Sequence, residues 1–534
     1  MNATISRTLS RTLAATAAAL CLSTLPACSG DDGSGGPDGG PPPGEGDDGS
    51  DPGSGQTPLA PGVGQGGAQD FGQFRAILEA GGIPGPQTLD DVGFFNEHKI
   101  ELPAADCGDD VCLHAELGVA GNMLSGSNCT LVLLGMNTPI DPSRIERPPL
   151  HLTVAVDTSG SMDGAPIEHV REGLLRMAEG LRAEDRVSLV GFGDVASVLA
   201  DDLPGDSAQL QVAIASLGAS GSTNLYDGLR TAYEVSFDRA DLAEQNRVLL
   251  LSDGQATTGL LGDDRLVELA TDYAIEGIGL STVGMGLEFD PTLMRSLAER
   301  GGGAFYFLED HAAVEEVFEE EAAALLLPLA SEVEIDVDVA SGYRLRAVYG
   351  TKLATVGAGA AHLSIPSLHL AHRESVGDTE GGRRGGGGAI VVELLAEPGA
   401  VPDDERVGTL TLRYRVPGTD EDVVQEERIL SSLAPGQTPA EGLFDDAGVE
   451  KAFVTLNLYM GFAMAAERAE VGDDASALNL LQILHRSVSQ WLETHPDADI
   501  EDDLRYVLMF IDNLMARGAA VPPGTPTPEP WPQD

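Results

Sequence analysis

His151–Gly164 reads HLTVAVDTSGSMDG, and the fold is read outward from it. Leu152 to Val156 is a short apolar run with the character of a buried strand. Three oxygen-bearing side chains follow at alternate positions, Asp157, Ser159 and Ser161, and Gly160 and Gly164 let the backbone fold back there. A helix pattern starts at once. Pro166 stands near its beginning, and Ile167, Val170, Leu174, Ala178 and Leu181 form one apolar stripe. A strand that runs through an oxygen-rich loop into a helix suits a hard cation at the strand's carboxyl end.

From this centre the alternation continues over residues 151–328. Strands are expected at Arg186 to Phe192, Val195 to Leu199, Arg247 to Leu251, Ile278 to Val283 and Ala304 to Phe307. Helical patterns lie between them, and a last helix reaches about Leu327. Such alternation predicts an α/β fold, a doubly wound, mostly parallel sheet of Rossmann-like kind with helices on both faces. Beyond Pro328 the period changes to two at Val333 to Val339, Tyr343 to Val348, Ala389 to Leu395, Gly408 to Val416 and Val423 to Leu430. Residues 329–440 are therefore a β-rich domain. Strands expected at Leu113 to Val119 and Thr130 to Leu134, within residues 70–150, join it in a flanking β-sandwich. That earlier segment opens with a helix carrying Phe71, Phe74, Ile77 and Leu78 on one face. His369 to Gly388 reads as a charged, Gly-rich, solvated loop holding His369 and His372. Helically spaced apolar residues, among them Phe453, Leu456, Leu481, Leu484, Val507 and Ile511, mark a helical region over 441–518, and 519–534 is a Pro-rich tail.

The chain has 534 residues, with 31 basic against 85 acidic and a net charge of −54, a balance that repels nucleic acid and anionic lipid. Residues 1–27 read as a signal peptide, with Arg7 and Arg11 ahead of an apolar run too short to span a bilayer. Leu25-Pro26-Ala27-Cys28 resembles the bacterial lipobox, which implies cleavage before Cys28 and acylation of its thiol. The expected location is the cell envelope, held by lipid alone. Ser29 after the cysteine favours the outer membrane over the inner one by analogy with lipoprotein sorting. Residues 28–69 are Gly, Pro, Asp and Ser with almost no large apolar side chain, the composition of a disordered tether averaging about 35 Å end to end. Cys107, Cys112 and Cys129 then lie in an oxidising compartment. A Cys107–Cys112 bridge would staple a tight loop, and Cys112 with Cys129 is the open alternative.

Two further oxygen-bearing stops complete the centre: Thr223 in a Gly/Ser loop before a helix, and Asp253 at the end of its own strand. Neighbouring strands at a switch in strand order would open into one crevice and bring the five oxygens together. Only two of the five carry charge, so a divalent ion there stays electron-poor.

These residues resemble the von Willebrand factor type A domain and its metal-ion-dependent adhesion site, whose pattern is Asp-x-Ser-x-Ser, a distant Thr, and an Asp ending a later strand. Asp157, Ser159, Ser161, Thr223 and Asp253 match it position by position. FGQFRAILEAGGIP with Gly93-Phe94-Phe95 is similar to the segment preceding the domain in bacterial lipoproteins of that kind. The resemblance implies Mg²⁺, or Mn²⁺ or Ca²⁺, bridging to an exposed Asp or Glu of a protein partner. It implies a binding module and not an enzyme. An assembly role in an envelope complex is the alternative. A hydrolase is disfavoured, because neither serine lies in Gly-x-Ser-x-Gly and no His-Glu-x-x-His occurs.

Overall fold

Strand β5 (Leu150–Asp157) is buried at every position, which only a strand covered on both faces can be. The computed structural model describes residues 60–141, 148–240, 244–253, 256–259, 262–286, 289–308, 317–318, 328–371, 388–397, 405–419 and 421–525. In it β5 is an inner strand of a seven-stranded sheet. On one side lie β6 (Arg186–Phe192) and β7 (Ala196–Pro204); on the other lie β8 (Gln245–Ser252), β9 (Ile278–Met285), β10 (Ala304–Leu308) and β2 (Gly67–Ala68). All pairs are parallel except β6–β7. The chain leaves β5 towards β6 and returns on the other side at β8, so strand order reverses between β5 and β8. Alternate side chains feed two cores. Leu152, Val154 and Val156 pack with α3 (Ala165–Gly180) and α4 (Ala208–Ala215). Ala155 packs with α5 (Leu225–Arg239), α6 (Asp263–Ile275) and α7 (Pro291–Arg300).

The strands outside this layer form the expected sandwich. One sheet runs β12 (Tyr343–Tyr349), β15 (Ile390–Ala396), β4 (Asn128–Asn137), β3 (Cys112–Gly121), β18 (Leu443–Phe444). The other runs β1 (Val63–Gly64), β14 (Ala360–Leu370), β11 (Pro328–Val339), β16 (Arg406–Arg415), β17 (Asp422–Leu430), with β13 (Ala354–Val356) on β14. Val132 and Leu134 of β4 face the opposing sheet, while Leu131 and Leu133 face away from it. That outer face is covered by helices α1 (Gly72–Glu79) and α2 (Asp91–Asn96) and by α8 (Ala447–Glu470), α9 (Asp474–Leu492) and α10 (Ala498–Ala516). Phe71, Phe74, Phe94, Phe462 and Phe510 meet there, with Phe74 and Phe462 ring centroids 5.3 Å apart and edge-on. Among the described residues no helix is long and apolar enough to cross a membrane.

Several expectations are corrected. Order reaches back to residue 60, not 70. Residues 62–70 strap two sheets together: β1 pairs with β14, and β2 closes the β10 edge, with Gly67 N–H donating to Gly303 O (2.8 Å) and Gln69 N–H to Phe305 O (2.9 Å). Gly66 sits at φ +81°, and a Cβ there would lie 2.5 Å from Gly303 O. His369 is not in a solvated loop. It is the penultimate residue of β14, is 4% exposed, and its Nε2 accepts from Arg247 Nη2 at 2.7 Å. Burial, then the charge of Arg247, pushes the imidazole pKa well down, so it stays neutral. Burial holds the Arg247 guanidinium down to about 10. The whole of β14 was not expected, and β7 runs five residues further than read. Residues 1–59, Cys28 and His372 lie outside the described residues. So do residues 526–534 of the tail and, apart from Val317 and Phe318, the helix expected up to Leu327.

Phe462→Ala empties the centre of the aromatic cluster and should cost about 3–5 kcal/mol, read as a lowered urea midpoint at unchanged slope. Gly66→Ala places a Cβ against Gly303 O at positive φ and should cost about 1–3 kcal/mol in the same assay.

Candidate metal centre

The carboxyl ends of β5 and β8 are adjacent, with Val156 opposite Leu251 in the register, so Asp157 and the Ser252-Asp253 pair emerge side by side. Asp157 is fully buried, and Asp253 is 8% exposed. Asp157 is held from two directions. The Ser159 N–H donates to its Oδ1 (2.8 Å), and the Ser252 hydroxyl donates to its Oδ2 (2.7 Å). Ser159 and Ser161 Oγ lie 3.0 Å apart, and Ser161 Oγ donates to Asp253 Oδ1 at 2.8 Å. Asp157, Ser159, Ser161 and Asp253 thus form one continuous hydrogen-bonded path across two loops.

Thr223 reaches the site through its backbone. Its loop is tied to the first one by Gly160 N–H to Gly221 O (3.0 Å) and Ser220 N–H to Thr158 O (2.6 Å). It is tied to the third by Thr223 N–H to Thr257 Oγ1 (3.0 Å) and by Thr257 and Thr258 N–H to Thr223 O (3.0 and 3.1 Å). Asn224 then caps α5, its side chain accepting from Asp227 N–H at 3.2 Å. Thr223 itself is 3% exposed.

Burial first of all raises the Asp157 carboxyl pKa, against the hydrogen bonds from Ser252 and Ser159. Burial likewise raises that of Asp253. The Ser161 hydrogen bond opposes this shift, and repulsion from Asp157 adds to it. No basic side chain counts among the influences on either group. Two desolvated carboxylates near each other, with hydroxyls for company, form an oxygen-only set that favours a hard cation. Among the described residues no cluster of three or more His, Cys, Asp or Glu is placed to hold a metal, the crevice included.

Sequence reading missed Ser252, which stands next to Asp253 yet serves Asp157. It also missed Asp194, whose Oδ1 accepts from Ser222 N–H (3.0 Å) and from the Ser222 hydroxyl, bracing the Thr223 loop. Away from the site, Cys107 and Cys112 are joined in a disulfide (Cα–Cα 5.6 Å), and Cys129 is a buried free thiol.

Residues 152–255 match the family model described as von Willebrand factor type A domain. An uncharacterized Synechocystis protein is 23% identical over 63% of this chain and 78% of its own length. An uncharacterized Escherichia coli protein is 26% identical over 36% of this chain, which spans 34% of that protein's length. A solved structure, the von Willebrand factor type A protein of Catenulispora acidiphila, is 17% identical, with 75% of this chain and 89% of that one covered and a TM-score of 0.49. With its strand order, its three joined loops and the family-model match over 152–255, the α/β layer of this chain is a von Willebrand factor type A domain.

Proposed function

We propose that this A domain is the gripping module of a lipid-anchored envelope protein, with Asp157, Ser159, Ser161, Thr223 and Asp253 holding a divalent cation, Mg²⁺ before Mn²⁺ or Ca²⁺. The observation that carries the reading is the pair of buried carboxylates that, among the described residues, have no basic counterpart and are linked through Ser159 and Ser161. When bound, the ion supplies a Lewis-acidic site for a carboxylate of a partner protein. The chain's own residues do the rest. Asp157 and Asp253 supply two negative charges and no more, so a divalent ion would be neutralised but not over-neutralised, and an open coordination position could still take an incoming acid. The Ser159 N–H and the Ser252 hydroxyl fix the orientation of Asp157. The Thr223 loop, clamped between its neighbours, keeps the third side of the crevice in place.

A binding role is favoured over a catalytic one. The hydroxyls of Ser159 and Ser161 bond to each other and to a carboxylate, a ligand arrangement and not a nucleophile–imidazole pair. Cys28, acylated, would hold the module at the membrane, with the Gly/Pro/Asp-rich segment letting it search for a partner.

Isothermal titration of the wild-type chain should show one Mg²⁺ site, and Mg²⁺ at one hundred times its dissociation constant should add about 2.7 kcal/mol of stability. Asp157→Ala should abolish both effects while retaining the native circular dichroism; equal Mg²⁺ stabilisation of the variant would sink the metal reading. In cells, wild-type protein should partition into the detergent phase on cloud-point extraction. Cys28→Ser should move it to the aqueous phase, whereas a detergent-phase variant would exclude acylation at that residue.

A further inference from the structure

We infer that the partner grips back with an extended chain segment, which adds as a strand to the open edge of β7 and delivers its acidic residue over the β6–β7 turn into the crevice. This rests on the metal reading above and names the kind of ligand it takes.

β7 is the last strand of its sheet and, among the described residues, pairs with β6 alone. Its far half is guarded as exposed edges usually are. Asp202 breaks the strand at φ +52° and is bonded by Arg186 at 2.9 Å; Asp201 pairs with Arg239 at 2.7 Å; Pro204 has no N–H to offer. The near half has no charged residue or proline of its own, although its Ala196 N–H donates to Asp227 Oδ2 (2.9 Å) and its register with β6 shifts between the Val190–Val198 and Leu189–Ala200 pairs. From Val195 to Ala200 there is no charged residue, and Val195, Val198 and Leu199 are 72%, 45% and 41% exposed. Long apolar side chains left on an unpaired edge mark a surface that another chain covers.

This uncharged half is the half beside the crevice. Gly193 O accepts from Asn224 N–H at 2.9 Å, and Asp194 holds Ser222, so the turn that starts β7 is bonded to the Thr223 loop. A strand laid on β7 therefore ends at the rim of the metal centre. Its required composition follows from β7. Val198 pairs with Val190 on the α5 face, while Leu199 packs over Gly191 on the other face. The added strand meets apolar surface on both faces and needs two adjacent apolar residues. It lies three strand spacings from β5, about 14 Å, a span of about four extended residues. The ligand is thus an extended segment with an Asp or Glu about four residues from an apolar pair. A second copy of β7 carries this spacing too, with Asp194 four residues before Val198-Leu199, but its Asp194 is already held by the Ser222 N–H (3.0 Å) and the Ser222 hydroxyl and is not free to reach a neighbour's crevice.

The test uses the full chain in Mg²⁺ and a displayed library of random dodecapeptides eluted with a chelator. Enriched peptides should carry the acid and the apolar pair at that spacing. A fluorescein-labelled copy of the best one should bind with anisotropy lost in Asp253→Ala. It should weaken about tenfold when alternate backbone nitrogens of its apolar half are methylated, and about tenfold against Val198→Lys. The Mg²⁺-dependent melting shift of Val198→Lys checks that this variant folds. If the methylated peptide and Val198→Lys bind like their parents while Asp253→Ala does not, strand addition is wrong and the metal reading stands. Undiminished binding to Asp253→Ala overturns both. Failure to enrich any chelator-eluted peptide, or self-association of the chain that Val198→Lys abolishes, also overturns the inference.

Discussion

Two carboxylates held out of water, with no basic side chain among the described residues to answer them, are the constraint on which this molecule turns. Asp157 is wholly buried, Asp253 nearly so, and the charge of Asp157 adds to the cost of ionising Asp253. A fold meets such a cost only with hydrogen bonds and a counter-charge. The hydrogen bonds are present: a backbone N–H and Ser252 for Asp157, and Ser161 for Asp253. They offset part of the desolvation but supply no charge. The frame that keeps the pair together is the parallel pairing of β5 with β8, and that pairing is possible only because strand order reverses there. Removing the reversal would separate the two acids by whole strands, and the constraint would vanish with the site.

The rest of the chain keeps that frame rigid. The A domain is fastened to the sandwich at the opposite end of β8, where Arg247 reaches both Gly302 O and His369 of β14. The strap 62–70 adds a second fastening, giving one short strand to each of the two sheets. Behind the sandwich, the phenylalanines of α1, α2, α8 and α10 share one core, so N-terminal and C-terminal segments stabilise each other. Rigid support of this kind is what a site assembled from three loops requires, since none of the loops holds its own shape alone.

How much of this the sequence discloses depends on the range of the interactions involved. The Asp157-x-Ser159-x-Ser161 loop is local, so its spacing reads directly, and the alternation of strand and helix reads with it. Ser252 does not, because its acceptor belongs to a strand ninety-five residues away in sequence. The strap reads as a tether because composition cannot separate a glycine that is merely mobile from Gly66, which is needed for close approach to Gly303. β14 alternates buried and exposed residues but carries Pro366, small residues and histidines, so its pattern is weak. The partner strand accommodates that proline with an irregularity: Glu332, at φ +49°, stands between the pairs Ser331–Ser367 and Val333–Ile365. His369 looks solvated from its neighbours in sequence, and only Arg247, far away in the chain, explains why it is buried.

The two edges of the A-domain sheet make a final point about charge and exposure. One edge is closed from within by β2, a strand of two residues supplied by the strap. The other is left to β7, guarded by charge and a backbone break over Asp201 and Asp202 and by Pro204, and without a charged residue of its own over Val195 to Ala200. With a formal charge of −54 the chain has acidic residues in abundance, yet this stretch holds none. The same economy applies in the crevice, where hydroxyls stand in positions that further carboxylates would otherwise fill. A third carboxylate would offset the attraction of a divalent ion for an outside acid, just as a charge on the near edge would discourage an added strand. Sparse charge in both places, on a chain otherwise crowded with it, is the feature that the crevice and the adjoining edge share.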